Sequence, residues 1–150
     1  MPLKFELEEV RLLAANYSYN PYVKNNQNSN DNGSEVYPVK LNIKIGHSFK
    51  EETKNLKVRL RLNSDDKNLS FAFDVEYGGS FNIIDDAEGF EEEEIEKLAR
   101  IWCSAIIYPY IRECISDLVR RGQDEPFFLP VLNFVNLYRD ERKRKKQKRK

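Results

Sequence analysis

The sequence predicts an α+β fold in which a four-stranded antiparallel sheet packs against a long central helix, followed by an apolar, proline-rich loop and a shorter C-terminal helix. Three observations lead to it. Strict two-residue alternation of apolar and polar side chains recurs through the first half of the chain; the stretch Trp102–Leu118, WCSAIIYPYIRECISDL, places apolar side chains all round a helix; and Pro126 and Pro130 bracket a cluster of large apolar residues. The first pattern fits half-buried strands, the second a helix buried on two sides, and the third a loop held against apolar surface.

Between Phe5 and Tyr19, Phe5 and Leu7 alternate with acids, Glu8-Glu9 breaks the count, and Val10 and Leu12 resume on the other parity. One extra residue of this kind is a β-bulge, so one long bent strand or two short ones are expected. Asn25–Ser34, NNQNSNDNGS, has no apolar residue and reads as a mobile loop. In the second strand Val39, Leu41, Ile43 and Ile45 share a face opposite Lys40, Asn42 and Lys44. In the third, Leu56, Val58, Leu60 and Leu62 oppose Lys57, Arg59 and Arg61. The fourth, Leu69–Ile84, turns Leu69, Phe71, Phe73, Val75 and Tyr77 inward, and Asp74 and Glu76 outward toward the cations of strand three. Gly78-Gly79 is expected to mark a bulge or sharp twist within it.

Asp85–Glu96 holds eight acids in twelve residues, which suits the positive end of the long helix or a patch for a basic partner. Pro109 should kink that helix, and Arg120-Arg121-Gly122 ends it. The helix is too short for a bilayer, so its second side calls for another copy of the chain. Trp102, Ile106, Ile107, Tyr110, Ile111 and Cys114 are the candidate oligomer interface. In the following loop and last helix, Phe127, Phe128, Leu129, Val131, Leu132, Phe134, Leu137 and Tyr138 either seal a core or wall a groove. Asn133 caps that helix. The boundaries are a single domain over 1–142 and a basic, disordered tail over 143–150.

The chain has 150 residues and no net charge, yet its last twelve residues hold nine Lys/Arg and two acids, leaving 16 basic and 23 acidic residues in the body. No aromatic residue lies among these cations and the body is acidic, which weighs against a nucleic-acid or ribosome-binding module. The tail is alternatively a clasp on Asp85–Glu96. Met1–Val10 is acidic and unlike a signal peptide, and no transmembrane run is present, so a cytoplasmic location is expected. Cys103 and Cys114 fall about 16 Å apart along a helix, too far to bridge, and read as buried thiols. His47 has no partner at metal spacing, and phosphate-loop and nucleophile motifs are absent. No cofactor, no metal and no catalysis are expected.

The runs DVEYGGSFNI, IIYPYIRECISDLVRRG and FFLPVLNFVNLY resemble the SecB family of export chaperones. The matching features are Gly78-Gly79, Pro109 with Arg112-Glu113, Arg121-Gly122, Pro130 and Asn133-Phe134. The resemblance implies a homotetramer built as a dimer of dimers, an ATP-independent holdase for unfolded precursor proteins, and hand-over to the translocase ATPase SecA. It places client grooves along the eight loop and helix residues named above, and a possible SecA contact at Asp74 and Glu76. Ala72 and the absence of acids over Val10–Asn30 depart from the family's acidic patch. A SecB-like chaperone dedicated to one client, such as an antitoxin, is the alternative.

Overall fold

The computed structural model describes residues 3–22, 40–64, 66–67, 69–86, 89–122 and 127–148. The expected loop over 25–34, Val39, Pro126 and the last two residues lie outside them. Four strands, β1 (Phe5–Tyr19), β2 (Asn42–Lys50), β3 (Asn55–Ser64) and β4 (Phe71–Ile83), form one antiparallel sheet in the order β1-β4-β3-β2. The first strand therefore pairs with the last, and β1 and β2 are the edges.

β1 carries the expected bulge between Leu7 and Glu9 and a second between Leu12 and Ala14. Each adds one residue on the face away from the helices. Glu8 there accepts a hydrogen bond from Ser80 Oγ at 2.9 Å, and Leu13 lies over Gly78. Gly78-Gly79 does not interrupt β4, whose register with β3 runs unbroken from Asn82 to Phe73. The glycine at 79 answers to close approach: a Cβ would stand 2.7 Å from the Phe81 ring and 3.0 Å from Ile107 Cδ1. The bends are in β1 because an edge strand can gain a residue without disturbing a second neighbour.

One long helix covers the sheet in three consecutive segments: α1 (Glu92–Lys97), a π-helical segment (Leu98–Cys103) and α2 (Ser104–Gly122). The N–H of Ser104 bonds the carbonyl of Ala99, five residues back, and Ser104 Oγ donates to the same oxygen at 2.9 Å. α2 passes through Pro109 without a break, so the departure from α geometry lies upstream of the proline. Gly122 is the last helical residue, and Tyr17 approaches so closely that a Cβ there would stand 1.9 Å from its hydroxyl.

Ile95, Ala99, Cys103, Ile107, Ile111, Ile115 and Val119 recur every fourth residue and are buried against Leu56, Val58, Leu60, Leu62, Val75 and Phe81. Each fully buried Leu, Ile, Val or Phe contributes roughly 1.5–3 kcal/mol. Burial desolvates the Cys103 thiol and pushes its pKa up to about 12, so it stays a neutral, packed group.

The last helix, α3 (Phe134–Lys148), is capped by Asn133, whose Oδ1 accepts from the N–H of Asn136 at 3.1 Å. It runs through Lys143–Lys148, where the sequence reading expects a disordered tail. Its base is fastened: Arg100 pairs with Glu141 at 2.6 Å, Arg142 pairs with Glu93, and Arg142 lies 5.5 Å over the Tyr138 ring. These contacts anchor the helix just before the charge run begins and let it propagate.

Candidate functional site

The segment 127–132 is hung on α2. Tyr108 Oη donates to the Pro130 carbonyl, and Ser116 Oγ donates to the Phe127 carbonyl at 3.4 Å. With its backbone fixed, the side chains alternate. Phe127 turns inward, its ring 5.0 Å from Phe71 and 6.1 Å from Phe73, while Phe128 turns outward and remains 71% exposed. Leu129 is buried, Leu132 half-buried, and Val131 is 85% exposed.

Between this segment, α2 and β4 lies a groove of about 540 Å³. Tyr77, Tyr110, Cys114, Phe127 and Phe128 line it, and Glu113, Ser116, Asp117 and Arg120 border it. The rings of Tyr77 and Tyr110 stand 6.4 Å apart. Tyr77 is desolvated and lies beside Cys114, which together push its pKa up to about 12. Arg120 pairs with Asp117, so part of the rim charge is satisfied internally.

The eight residues named for the groove thus separate. Phe127 and Phe128 come together in it. Leu129, Phe134 and Tyr138 are buried as core, with Phe134 packing edge-on against Tyr108 at 5.7 Å. Val131 is exposed and is not part of the groove lining. Leu137 belongs to a second groove of about 510 Å³ along the β2 edge, with Ile43, Ile45, Arg100 and Arg144.

The six interface candidates separate too. Ile107 and Ile111 are fully buried against the chain's own sheet and offer nothing to a second copy, which corrects their assignment. They lie on the four-residue stripe that faces the strands. Trp102 and Tyr110 remain 45% and 44% exposed, Ile106 and Cys114 are half-buried, and Tyr110 and Cys114 turn into the first groove. Leu7 and Leu12, opposite Phe81 and Tyr77 on the helix side of β1, are exposed as well. Asp74 and Glu76 stand on the open face of the sheet, paired with Arg61 and Arg59. The Arg61 hydrogen bond holds the Asp74 carboxyl below its ordinary range.

Sequence reasoning missed Tyr77, Glu113, Ser116 and Asp117 as groove residues. The i, i+3, i+4, i+7 spacing of Tyr110, Glu113, Cys114 and Asp117 was the available signal. Ile43 and Ile45 became groove residues only through β2 being an edge, which no local pattern encodes.

One open sheet face, one face under a long helix and an aromatic groove left open at that helix define an α+β protein with a surface groove beside its longest helix. Among the described residues no three His, Cys, Asp or Glu side chains gather to hold a metal, and no helix is long and apolar enough to cross a membrane. The chain belongs to the SecB family of export chaperones: the family model for preprotein translocase subunit SecB matches residues 13–145. The protein-export protein SecB of Chromohalobacter salexigens is 29% identical over 136 residues, covering 84% of this chain and 80% of that one. That of Paracoccus denitrificans is 34% identical over 85 residues, covering 57% of this chain and 46% of its own length, so this alignment spans under half of that relative. In fold, the chain is similar to the Mycobacterium tuberculosis Rv1957 SecB-like chaperone, solved with a ChAD peptide from the Rv1956 HigA1 antitoxin. The TM-score is 0.63 at 20% identity, covering 85% of this chain and 90% of that one.

Proposed function

We propose that this protein is an ATP-independent holdase of the cytoplasm that keeps unfolded precursor proteins competent for export. The observation that carries the reading is the groove between α2 and the segment 127–132, where Phe128 and Tyr110 hold exposed aromatic surface on a fixed backbone. An unfolded client offers apolar side chains without fixed shape, and an open aromatic groove binds such segments by area and not by a hydrogen-bond code. The solved complex of the M. tuberculosis relative with a peptide supports binding of a client segment by this fold.

The exposed Trp102, Tyr110, Leu7 and Leu12 support assembly of several copies, with a dimer of dimers as the expected form. A contact with SecA through Asp74 and Glu76 would compete with the chain's own Arg61 and Arg59.

The test is native mass in solution, followed on the same sample by light scattering from a chemically unfolded protein diluted into it. A tetramer that suppresses aggregation without nucleotide is the expected result. A monomer that leaves aggregation unchanged overturns both the holdase and the assembly.

A further inference from the structure

A group of this chain's cations lies together on β3, the β2 edge and α3. On the open face of the sheet β3 presents Lys57, Arg59 and Arg61, and Arg61 stands directly opposite Lys44 of β2. Two like charges facing each other across strands oppose pairing, and here Asp74 offsets part of that repulsion. Around the β2 edge, Lys44 and Arg144 of α3 line the same groove. From there seven of the ten residues Arg139–Lys148 are Lys or Arg, and Lys143–Lys148 are all exposed. The band is continuous from the last turns of α3, over the edge of β2, onto β3.

Most carboxylates within it are already engaged. Arg61 takes Asp74, Arg59 takes Glu76, and Arg100 takes Glu141; Asp140 is the acid left in the groove wall. On α3, Arg142 is held by Glu93, while Arg144 and Lys148 are like-charged neighbours at i,i+4. A polyanion laid along the band would offset the remaining repulsion among the exposed cations of α3.

We infer that this face binds the phosphate backbone of a nucleic-acid duplex without regard to sequence. A protein partner needs an apolar centre to its interface, whereas α3 has no apolar residue beyond Tyr138, and the open face of β2 and β3 shows only Asn, Gly, Ser, Lys and Arg. A backbone of regularly spaced phosphates asks for cations alone. No aromatic side chain lies among them to stack on an unpaired base, which favours a duplex over a single strand.

The experiment is fluorescence anisotropy of a labelled RNA duplex of about 20 base pairs with the full chain, titrated between about 50 and 200 mM salt. Binding at the lower salt is expected, weakening on the order of 10³-fold across the range if about six phosphates are met. The triple variant Lys145→Glu, Lys146→Glu, Lys148→Glu and the double variant Lys44→Glu, Lys57→Glu should each lose at least tenfold in affinity and flatten the salt slope by roughly 0.9 per contact removed. Absence of binding at the lower salt, or a sheet variant that binds like wild type, overturns the proposal. Equal affinity for a polyglutamate peptide overturns it in favour of an acidic protein. Client holding by light scattering on the same preparations reports on the groove alone, so the two readings fail separately.

Discussion

Phe127 and Phe128 are adjacent in sequence and opposite in consequence. Phe127 fills the space between Phe71 and Phe73, and Phe127→Ser should destabilise by about 3–5 kcal/mol, as truncation of a buried ring does, lowering the urea midpoint. Phe128→Ser removes an exposed ring and should move stability by no more than about 0.5 kcal/mol while weakening client holding in a light-scattering assay. Loss of stability with unchanged holding in the second variant would reverse the two roles. Gly79→Ala tests close packing under the long helix: the added methyl meets Phe81 and Ile107 and should cost about 1–3 kcal/mol, read as a Tm lower by several degrees. None of these distinctions is visible from residue type. Two neighbouring phenylalanines between prolines read as one apolar cluster, and only the bonds from Tyr108 and Ser116 set which ring faces in.

At the scale of elements, much was legible because local pattern carries it. The alternation of β3, the odd residue in β1 and the asparagine cap of α3 each rest on neighbours in sequence. The misses come from long-range contacts. The C-terminal charge run looks like a tail until Glu93 and Arg100 are seen to hold the helix that leads into it. This attachment has a pH signature. Arg142 holds the Glu93 carboxyl below its ordinary value of 4.5. A carboxylate depressed in this way supports the folded arrangement above its unfolded pKa and loses that support as pH falls through the folded value. Relative to the intrinsic rate, amide hydrogen exchange over 134–148 should therefore be slow at neutral pH and quicken as pH falls below the ordinary glutamate range, ahead of the strands. Arg142→Ala should give the fast pattern at neutral pH; unchanged exchange would mean that Phe134 and Tyr138 hold α3 alone.

At the scale of the molecule, which residues of the long helix serve the sheet and which are left to its other side depends on the helix's rotation over the sheet. Ile107→Asp places a charge in the core and should unfold the chain. Trp102→Asp should leave circular dichroism unchanged and shift native mass toward smaller assemblies, and an unchanged mass would remove Trp102 from the interface. The balance of charge was misleading in the same way. The body's excess of acid lies largely at the start of α1 and on β1, while β2, β3 and α3 carry 12 of the 25 cations.

The π-helical segment bears on both sides of the long helix at once. A turn closed over five residues holds one residue more than an α turn, and each residue in a helix advances the azimuth by about 100°. Leu98–Cys103 therefore works as a phase adjuster, setting the angle at which α1 leaves α2. Deleting one residue within it would leave the α2 stripe on the sheet but swing Glu93 away from Arg142, unlatching the C-terminal helix without altering any residue of either.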